Sequence, residues 1–210
     1  IVGYTDGTFG PSRSMTRAEA AAIFARLLAE KNGDTISTAA NTKFADIPAH
    51  AWYSGYVKYL SNNGITYGKS KTIFAPNDAI TRAEFTTMAV RFFDVYGDGD
   101  AEIMEQFSGF NDVSSGYWAA KYIKYAALHG WINGYGDGSF HAEREINRAE
   151  VVTIVNRLLG READEDYIAD NLRKLNTFPD VSRKHWAYYA VMEAANAHTA
   201  VLGESESWSK

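Results

Sequence analysis

The chain contains no cysteine, so disulfides and thiolate-bound metals have no place in its fold or chemistry. No apolar run approaches the roughly 18 residues that suggest a membrane-crossing helix. An excess of basic charge is missing too. The formal net charge is −5, whereas nucleic-acid binders usually present a basic face. No membrane span and no nucleic-acid partner are therefore expected. Core material, by contrast, is plentiful: hydrophobic residues make up 46% and aromatics 14% of the chain, a composition that disfavours disorder. The opening Ile1-Val2-Gly3-Tyr4 imitates the cut N-terminus of a trypsin-like protease. The rest of the chain lacks the glycine-rich serine loop and the β-rich patterning that such a triad requires.

What is present is one pattern written three times. Thr16-Arg17-Ala18-Glu19, Thr81-Arg82-Ala83-Glu84 and Asn147-Arg148-Ala149-Glu150 stand 65 and then 66 residues apart, which marks an internal repeat. A phenylalanine precedes each (Phe9, Phe74, Phe140), and apolar pairs recur behind each: Leu27/Leu28, Phe92/Phe93 and Leu158/Leu159. A second signature is Phe44-Ala45-Asp46, Phe110-Asn111-Asp112 and Phe178-Pro179-Asp180, each followed by a tryptophan: Trp52, Trp118 and Trp186. Apolar residues four, five and eight positions after Trp52 and Trp118 predict a helical stripe. A full unit therefore reads as loop, helix, glycine turn, short extended segment and a second helix, an all-α design with short extended segments and turns. The units run over 44–97 and 110–160. A third is divided between the chain's two ends, its front half at 178–200 and its back half at 1–30. The whole of 1–210 is expected to form one domain in which these halves dock, because neither orphan helix can bury its stripe alone. A monomer or a domain-swapped dimer satisfies that requirement.

The tetrapeptide is a capping box: the Thr or Asn side chain accepts from the N3 backbone N–H and the N3 Glu reaches back. It leaves the arginines unexplained, since a cation in the first turn opposes the helix dipole by about 0.3–1 kcal/mol. On that ground Arg82→Ala is expected to leave stability nearly unchanged or to raise it slightly. Two roles fit Arg17, Arg82 and Arg148. One is a structural salt bridge with Asp46, Asp112 or Asp180. The other is a grip on an anionic ligand beside free helix N–H groups.

The series Phe-x-Asp, Trp, Gly-Tyr-x-Asp-Gly-Thr-Phe, Thr-Arg-Ala-Glu resembles the S-layer homology repeat of bacterial cell-surface proteins. The resemblance covers nearly the whole chain apart from the linkers. It implies a pseudo-threefold assembly of three helix-loop-helix repeats and a non-catalytic anchoring module outside the cell, at the cell wall or S-layer surface. It further implies that the partner is an anionic, often pyruvylated, secondary cell-wall polymer held in inter-repeat grooves, without a metal or other cofactor. Its ligand contacts would fall on Arg17, Arg82 and Arg148, and on the loop residues Gly3, Tyr4, Gly134 and Tyr135. The middle copy departs from the pattern, with Tyr67-Gly68-Lys69-Ser70-Lys71 in place of the glycine-tyrosine loop. With each arginine assigned to the loop of its own copy, Arg148→Ala should weaken wall binding most, then Arg17→Ala, then Arg82→Ala. A structural assembly module that binds no glycan is the alternative.

Trp52, Trp118 and Trp186 read first as core, given their helical spacing among apolar neighbours, and second as sugar-stacking platforms. His50 and His185, each just ahead of a tryptophan, suit capping or packing. His198 stands where the other units have Gly64 and Gly130 as helix-ending residues. Asp98-Gly99-Asp100-Ala101-Glu102 has a faint likeness to a calcium loop but lacks its closing residues. Residues 161–177 read as a charged linker with helical character. A glycan-cleaving enzyme would need one unique pair of carboxylates flanking a cleft, whereas the acidic residues here recur with the repeat.

Overall fold

The computed structural model describes residues 1–96, 109–201 and 207–209; the sequence 98–102 with its calcium-loop likeness lies outside them. Among the described residues the fold is helical. Seven α-helices run in order α1 (Arg17–Asn32), α2 (Ser54–Asn62), α3 (Arg82–Tyr96), α4 (Ala120–Leu128), α5 (Arg148–Leu158), α6 (Glu165–Asn171) and α7 (Tyr188–Ala195). A short antiparallel ribbon follows, β1 (Thr199–Val201) with β2 (Ser207–Ser209). The chain divides into two compact units, one of residues 14–146 and one of residues 1–13 with 147–210.

In the 14–146 unit, α1 packs on α2 and on α3, and α3 packs on α4. In the other, α5 packs on α7. The partner of each Arg-bearing helix is thus the tryptophan-associated helix that follows it in sequence. Phe24 anchors the first unit, with its ring centroid 5.3 Å from that of Phe85 and 5.0 Å from that of Phe92. Such pairs add about 0.5–1.5 kcal/mol to the burial of the rings. In the second unit Phe9, Val152, Ile168, Val181, Val191 and Trp208 share one core, and Phe9 packs on Phe178 at 5.3 Å. The charged segment after α5 contributes to that core: Asp164 caps α6, and α6 buries Ile168.

Both halves of the capping box form at α1 and α5. At α3, Thr81 Oγ1 likewise accepts from the Glu84 N–H at 3.2 Å while Glu84 Oε2 accepts from the Thr81 N–H at 3.1 Å. Just ahead of the three boxes stand Met15, Ile80 and Ile146, and these three bond one another in a closed ring. The Met15 N–H donates to Ile146 O at 3.0 Å, Ile146 to Ile80 at 3.0 Å and Ile80 to Met15 at 2.9 Å. Isolated antiparallel bridges flank the ring at Thr16–Ala79 and Thr81–Glu145. The short extended segments of the sequence pattern therefore meet at a three-way junction instead of building a sheet.

Candidate functional site

An α-helix leaves its first backbone N–H groups without internal partners, and these could have received an anion. Here the protein fills them. The Arg17 and Ala18 N–H groups donate to Asp78 O and Pro76 O, both at 3.0 Å. Those of Arg82 and Ala83 donate to Arg144 O at 2.8 Å and Ala142 O at 2.9 Å. Those of Arg148 and Ala149 donate to Arg13 O and Pro11 O, both at 3.0 Å. With the third N–H held by the capping side chain, the expected free anion site at the helix backbone is absent from all three helices. Carbonyl dipoles aimed at these N-termini also offset the positive end of the helix, which makes a nearby guanidinium tolerable.

The arginine side chains are themselves buried, at 4%, 5% and 7% exposure for Arg17, Arg82 and Arg148. Each Nε donates to a phenylalanine carbonyl: Arg17 to Phe74 O at 2.7 Å, Arg82 to Phe140 O at 2.9 Å and Arg148 to Phe9 O at 2.9 Å. The same rings lie under the guanidinium carbons at 4.9, 4.5 and 4.8 Å, a cation–π contact. For Arg17 and Arg82, the loop that each arginine meets is the next one along the chain. Arg148 meets the loop at residues 1–9. The expected order of binding losses assigned Arg82 to the altered loop around Gly68; it is Arg17 that meets that loop.

Asp46, Asp112 and Asp180 do not pair with these arginines. Each carboxylate instead accepts from two successive backbone N–H groups. Asp46 takes Phe74 at 2.9 Å and Ala75 at 2.6 Å; Asp112 takes Phe140 and His141, both at 2.7 Å; Asp180 takes Phe9 at 2.9 Å and Gly10 at 2.7 Å. The second residue of each pair lies in the left-handed region, with φ of 59° at Ala75, 54° at His141 and 67° at Gly10. That conformation costs a non-glycine residue energy, and the paired N–H bonds help to hold it. Partial burial works to raise the Asp112 pKa, but the bonds from Phe140 and His141 outweigh it and hold the carboxyl below its ordinary value.

The glycine loops obey one rule in all three copies. A Cβ on Gly3 would collide with Phe178 and come within 2.7 Å of Thr8 O. One on Gly134 would come within 2.5 Å of Phe110 and 2.6 Å of Ser139 O, and one on Gly68 would collide with Phe44 and come within 2.6 Å of Ile73 O. Gly68 is therefore the counterpart of Gly3 and Gly134. The residue after each glycine donates its N–H to that same carbonyl: Tyr4 to Thr8 at 2.7 Å, Lys69 to Ile73 at 2.8 Å and Tyr135 to Ser139 at 2.8 Å. Beside that shared glycine the middle copy has a lysine where the other copies have tyrosine, and Lys71-Thr72 replaces their Asp-Gly turn, with Ser70 Oγ accepting from the Thr72 and Ile73 N–H groups in the aspartate's place. Tyr4 lies over Arg148 at 4.7 Å, and Tyr135 over Arg82 at 5.2 Å.

Trp52, Trp118 and Trp186 are not core residues. They are 55%, 53% and 64% exposed, because α2, α4 and α7 each begin two residues beyond the tryptophan. His185 Nδ1 accepts the Ala187 N–H at 3.1 Å, a bond just ahead of α7, whose N-cap has no side-chain cap bond. Trp118 lines a cleft of about 310 Å³ with Arg17, Tyr67, Lys69, Glu84, Thr87, Arg91 and Glu143, all in the 14–146 unit. Sequence reading did not single out Thr87 or Arg91. Arg91 donates to the Tyr122 hydroxyl at 3.1 Å and lies 4.7 Å from the Tyr67 ring. No group of residues able to hold a metal ion occurs among the described residues.

Comparison with known proteins places this geometry in context. The family model described as S-layer homology domain matches residues 1–21, 43–86 and 109–152. Cell surface glycoprotein 1 of Acetivibrio thermocellus is 34% identical over 97% of this chain and 9% of its own length. The cellulosome-anchoring protein of the same organism is 32% identical over 98% of this chain and 44% of its own. The surface-layer 125 kDa protein of Lysinibacillus sphaericus is 32% identical over 76% of this chain and 13% of its own. The chain thus spans less than half the length of each of these relatives.

Proposed function

The chain belongs to the S-layer homology family, a family of cell-surface proteins, and from that premise we propose that it is a non-catalytic anchoring module for an anionic secondary cell-wall polymer. The observation that carries this reading is the exposure of Trp52, Trp118 and Trp186 at equivalent places in three copies. A large aromatic left more than half in water loses most of the roughly 1.5–3 kcal/mol that its burial would supply. Three such faces suit stacking against the apolar faces of sugar rings. The arginines contribute in two ways: their buried stems and Nε groups fix the loops, and their outer edges supply positive charge. Gly3, Tyr4, Gly134 and Tyr135 shape two of the ligand-contacting loops. The names of the two Acetivibrio relatives, a cell surface glycoprotein and a cellulosome-anchoring protein, agree with a role in surface attachment.

Co-sedimentation with purified bacterial wall sacculi tests the proposal. The chain should pellet with sacculi that retain their secondary polymer and stay in solution when hydrofluoric acid has removed that polymer. Equal pelleting with both preparations would overturn the polymer assignment, and no pelleting with either would favour an assembly module.

A further inference from the structure

The β1–β2 ribbon is fastened by a pair of titratable side chains that only the third copy has. Glu193 stands seven residues beyond Trp186, where Tyr59 and Tyr125 stand beyond Trp52 and Trp118, and His198 takes the place of Gly64 and Gly130. The two exchanges meet in space. His198 Nε2 lies 3.3 Å from Glu193 Oε2, with side-chain exposures of 11% and 1%. Glu193 sits in the last turn of α7, where the helix dipole disfavours a carboxylate, and burial disfavours its charge further.

The geometry fixes where a proton must be. His198 Nδ1 lies 2.8 Å from Asn196 O, and a carbonyl oxygen can only accept, so Nδ1 carries a hydrogen. Nε2 is left to face the carboxylate, and two bare acceptors at that separation repel. The pair therefore holds one further proton, as imidazolium with carboxylate or as imidazole with carboxylic acid. The same imidazole carries the ribbon. Trp208 stacks on it with ring centroids 3.9 Å and planes 12° apart, and lies 5.8 Å from the Tyr167 ring of α6. The Trp208 backbone N–H donates to Asp164 Oδ2 at 3.0 Å, and the residue pairs with Ala200 across the ribbon. Trp208 is buried, yet its Nε1 has no hydrogen-bond partner among the described residues. A buried donor left unpaired weakens docking, so the hold on the ribbon is not over-determined.

Other charged groups surround the pair. On α7, Tyr188 and Tyr189 precede Glu193, the last turn holds no basic residue, and His185 lies beyond the far end of the helix. α6 presents Asp164, whose carboxyl the Tyr167 and Trp208 N–H groups hold below its ordinary value; Glu165, Asp166 and Asp170 are exposed. After α6, Asn176 exchanges neutral amide bonds with Asn196, and Arg173 and Lys174 are exposed. α5 meets α7 through Asn156, which donates to Ala190 O at 2.9 Å, and Arg157 is exposed. The Ile1 ammonium donates to Ala194 O at 2.8 Å, and an α-amino group titrates near pH 8.

We propose that Glu193 and His198 form a pH-sensitive latch for the ribbon, which stays docked on α6 and α7 while the pair holds its shared proton and is released as rising pH removes it. Imidazole is the side chain that ordinarily changes charge between about pH 5 and 8. Loss of the proton sets a lone pair against a buried carboxylate, and departure of the ring lets water reach Glu193. Docking takes up a proton, so it is complete at the acid end and declines with rising pH, by at most about tenfold per pH unit for one proton. The latch is independent of the wall-polymer reading.

Amide hydrogen exchange of the whole chain, followed by NMR and corrected for the intrinsic base-catalysed rate, reads the latch at the Trp208 N–H. Its protection should fall by up to about tenfold per pH unit above about pH 6.5, while the Val152 N–H of α5, in the same core, keeps its own. Glu193→Gln retains Ile1 and Asp164 and supplies an amide that donates to neutral imidazole, so its Trp208 profile should be flat. His198→Gln, whose amide donates to Glu193 at every pH, should also be flat, at a lower level for want of the ring stack. Constant Trp208 protection in the unaltered chain would overturn the latch. A matching decline in Glu193→Gln would assign the response to Ile1 or another group and overturn the pair. Parallel loss at Val152 would show the whole unit opening and overturn a local release.

Discussion

Replacing Arg82 by alanine separates two views of the repeated arginine. On helix-dipole grounds the change removes a cation from a helix N-terminus and is worth about 0.3–1 kcal/mol of stabilisation. The contacts around the side chain act in the opposite direction and outweigh it. Arg82 is 5% exposed, and its guanidinium bonds Phe140 O at 2.9 Å and Asn133 O at 3.3 Å while lying 4.5 Å from the Phe140 ring. Hydrogen bonds to a charged group contribute about 1.5–3 kcal/mol each. The truncation also empties a buried volume and strips the carbonyl of fully buried Phe140 of its donor. Relief from burying a cation offsets part of this, leaving a net loss of about 2–4 kcal/mol. Thr81→Ala, next to it in the same compact unit, removes only the cap bond and should cost about 1 kcal/mol. Urea melts followed by circular dichroism compare the two directly. Arg82→Ala should unfold at clearly lower denaturant, and Arg82→Lys should rescue it poorly because an ammonium lacks the planar fork. If Arg82→Ala melts with or above Thr81→Ala, the brace is wrong and the dipole view is right.

Gly134→Ala should lower the melting temperature by several degrees, from roughly 1–3 kcal/mol of overpacking, because its Cβ meets both Phe110 and Ser139 O. Gly136→Ala, with open space around it, should melt near the unaltered chain, and matching losses in the two would refute the close-approach account. Trp118→Ala should leave the thermal melt nearly unchanged, since the ring is 53% exposed, yet weaken co-sedimentation with sacculi. A large stability loss would restore the tryptophan to a core role. For Asp112, a folded pKa held below its ordinary value of 3.8 means stabilisation that is present above that value and lost as pH falls through the folded value. Asp112→Asn should therefore be less stable than the unaltered chain at pH 7. The gap should close in acid unfolding below about pH 3.8, and a gap that persists undiminished at pH 2 would refute the linkage.

The capping boxes were legible because Thr-Arg-Ala-Glu encodes both of its reciprocal bonds within four residues. The tryptophans misled because counting from Trp52 places Tyr56, Val57 and Leu60 on a single stripe, although the helix starts only at Ser54. Spacing alone does not say where a helix begins. Gly68 carried a usable signal, since it precedes Phe74 by the same six residues that separate Gly3 from Phe9 and Gly134 from Phe140. The tyrosine-lysine exchange beside it obscured the register. The roles of Asp46, Asp112 and Asp180 were not legible, because their partners are backbone N–H groups that any sequence provides. The helix pairing escaped for a related reason: periodicity marks a face as apolar but does not name what covers it.

Phe9, Phe74 and Phe140 are each gripped at both ends of their own residue, the N–H by an aspartate and the C=O by an arginine. The two gripping residues sit on opposite sides of the seam between successive copies. Anyone transplanting a single copy onto another protein would therefore be cutting through a fastener. A graft bounded by the recurring sequence, such as 43–86, carries Asp46 with Phe74 but leaves Arg17 behind and takes Arg82 without its carbonyl. A segment cut half a period away, from Ser14 to Asn77, keeps Arg17, Asp46 and Phe74 together with α1 packed on α2. The unit that inheritance copies and the unit that mechanics holds together are thus out of phase in this chain.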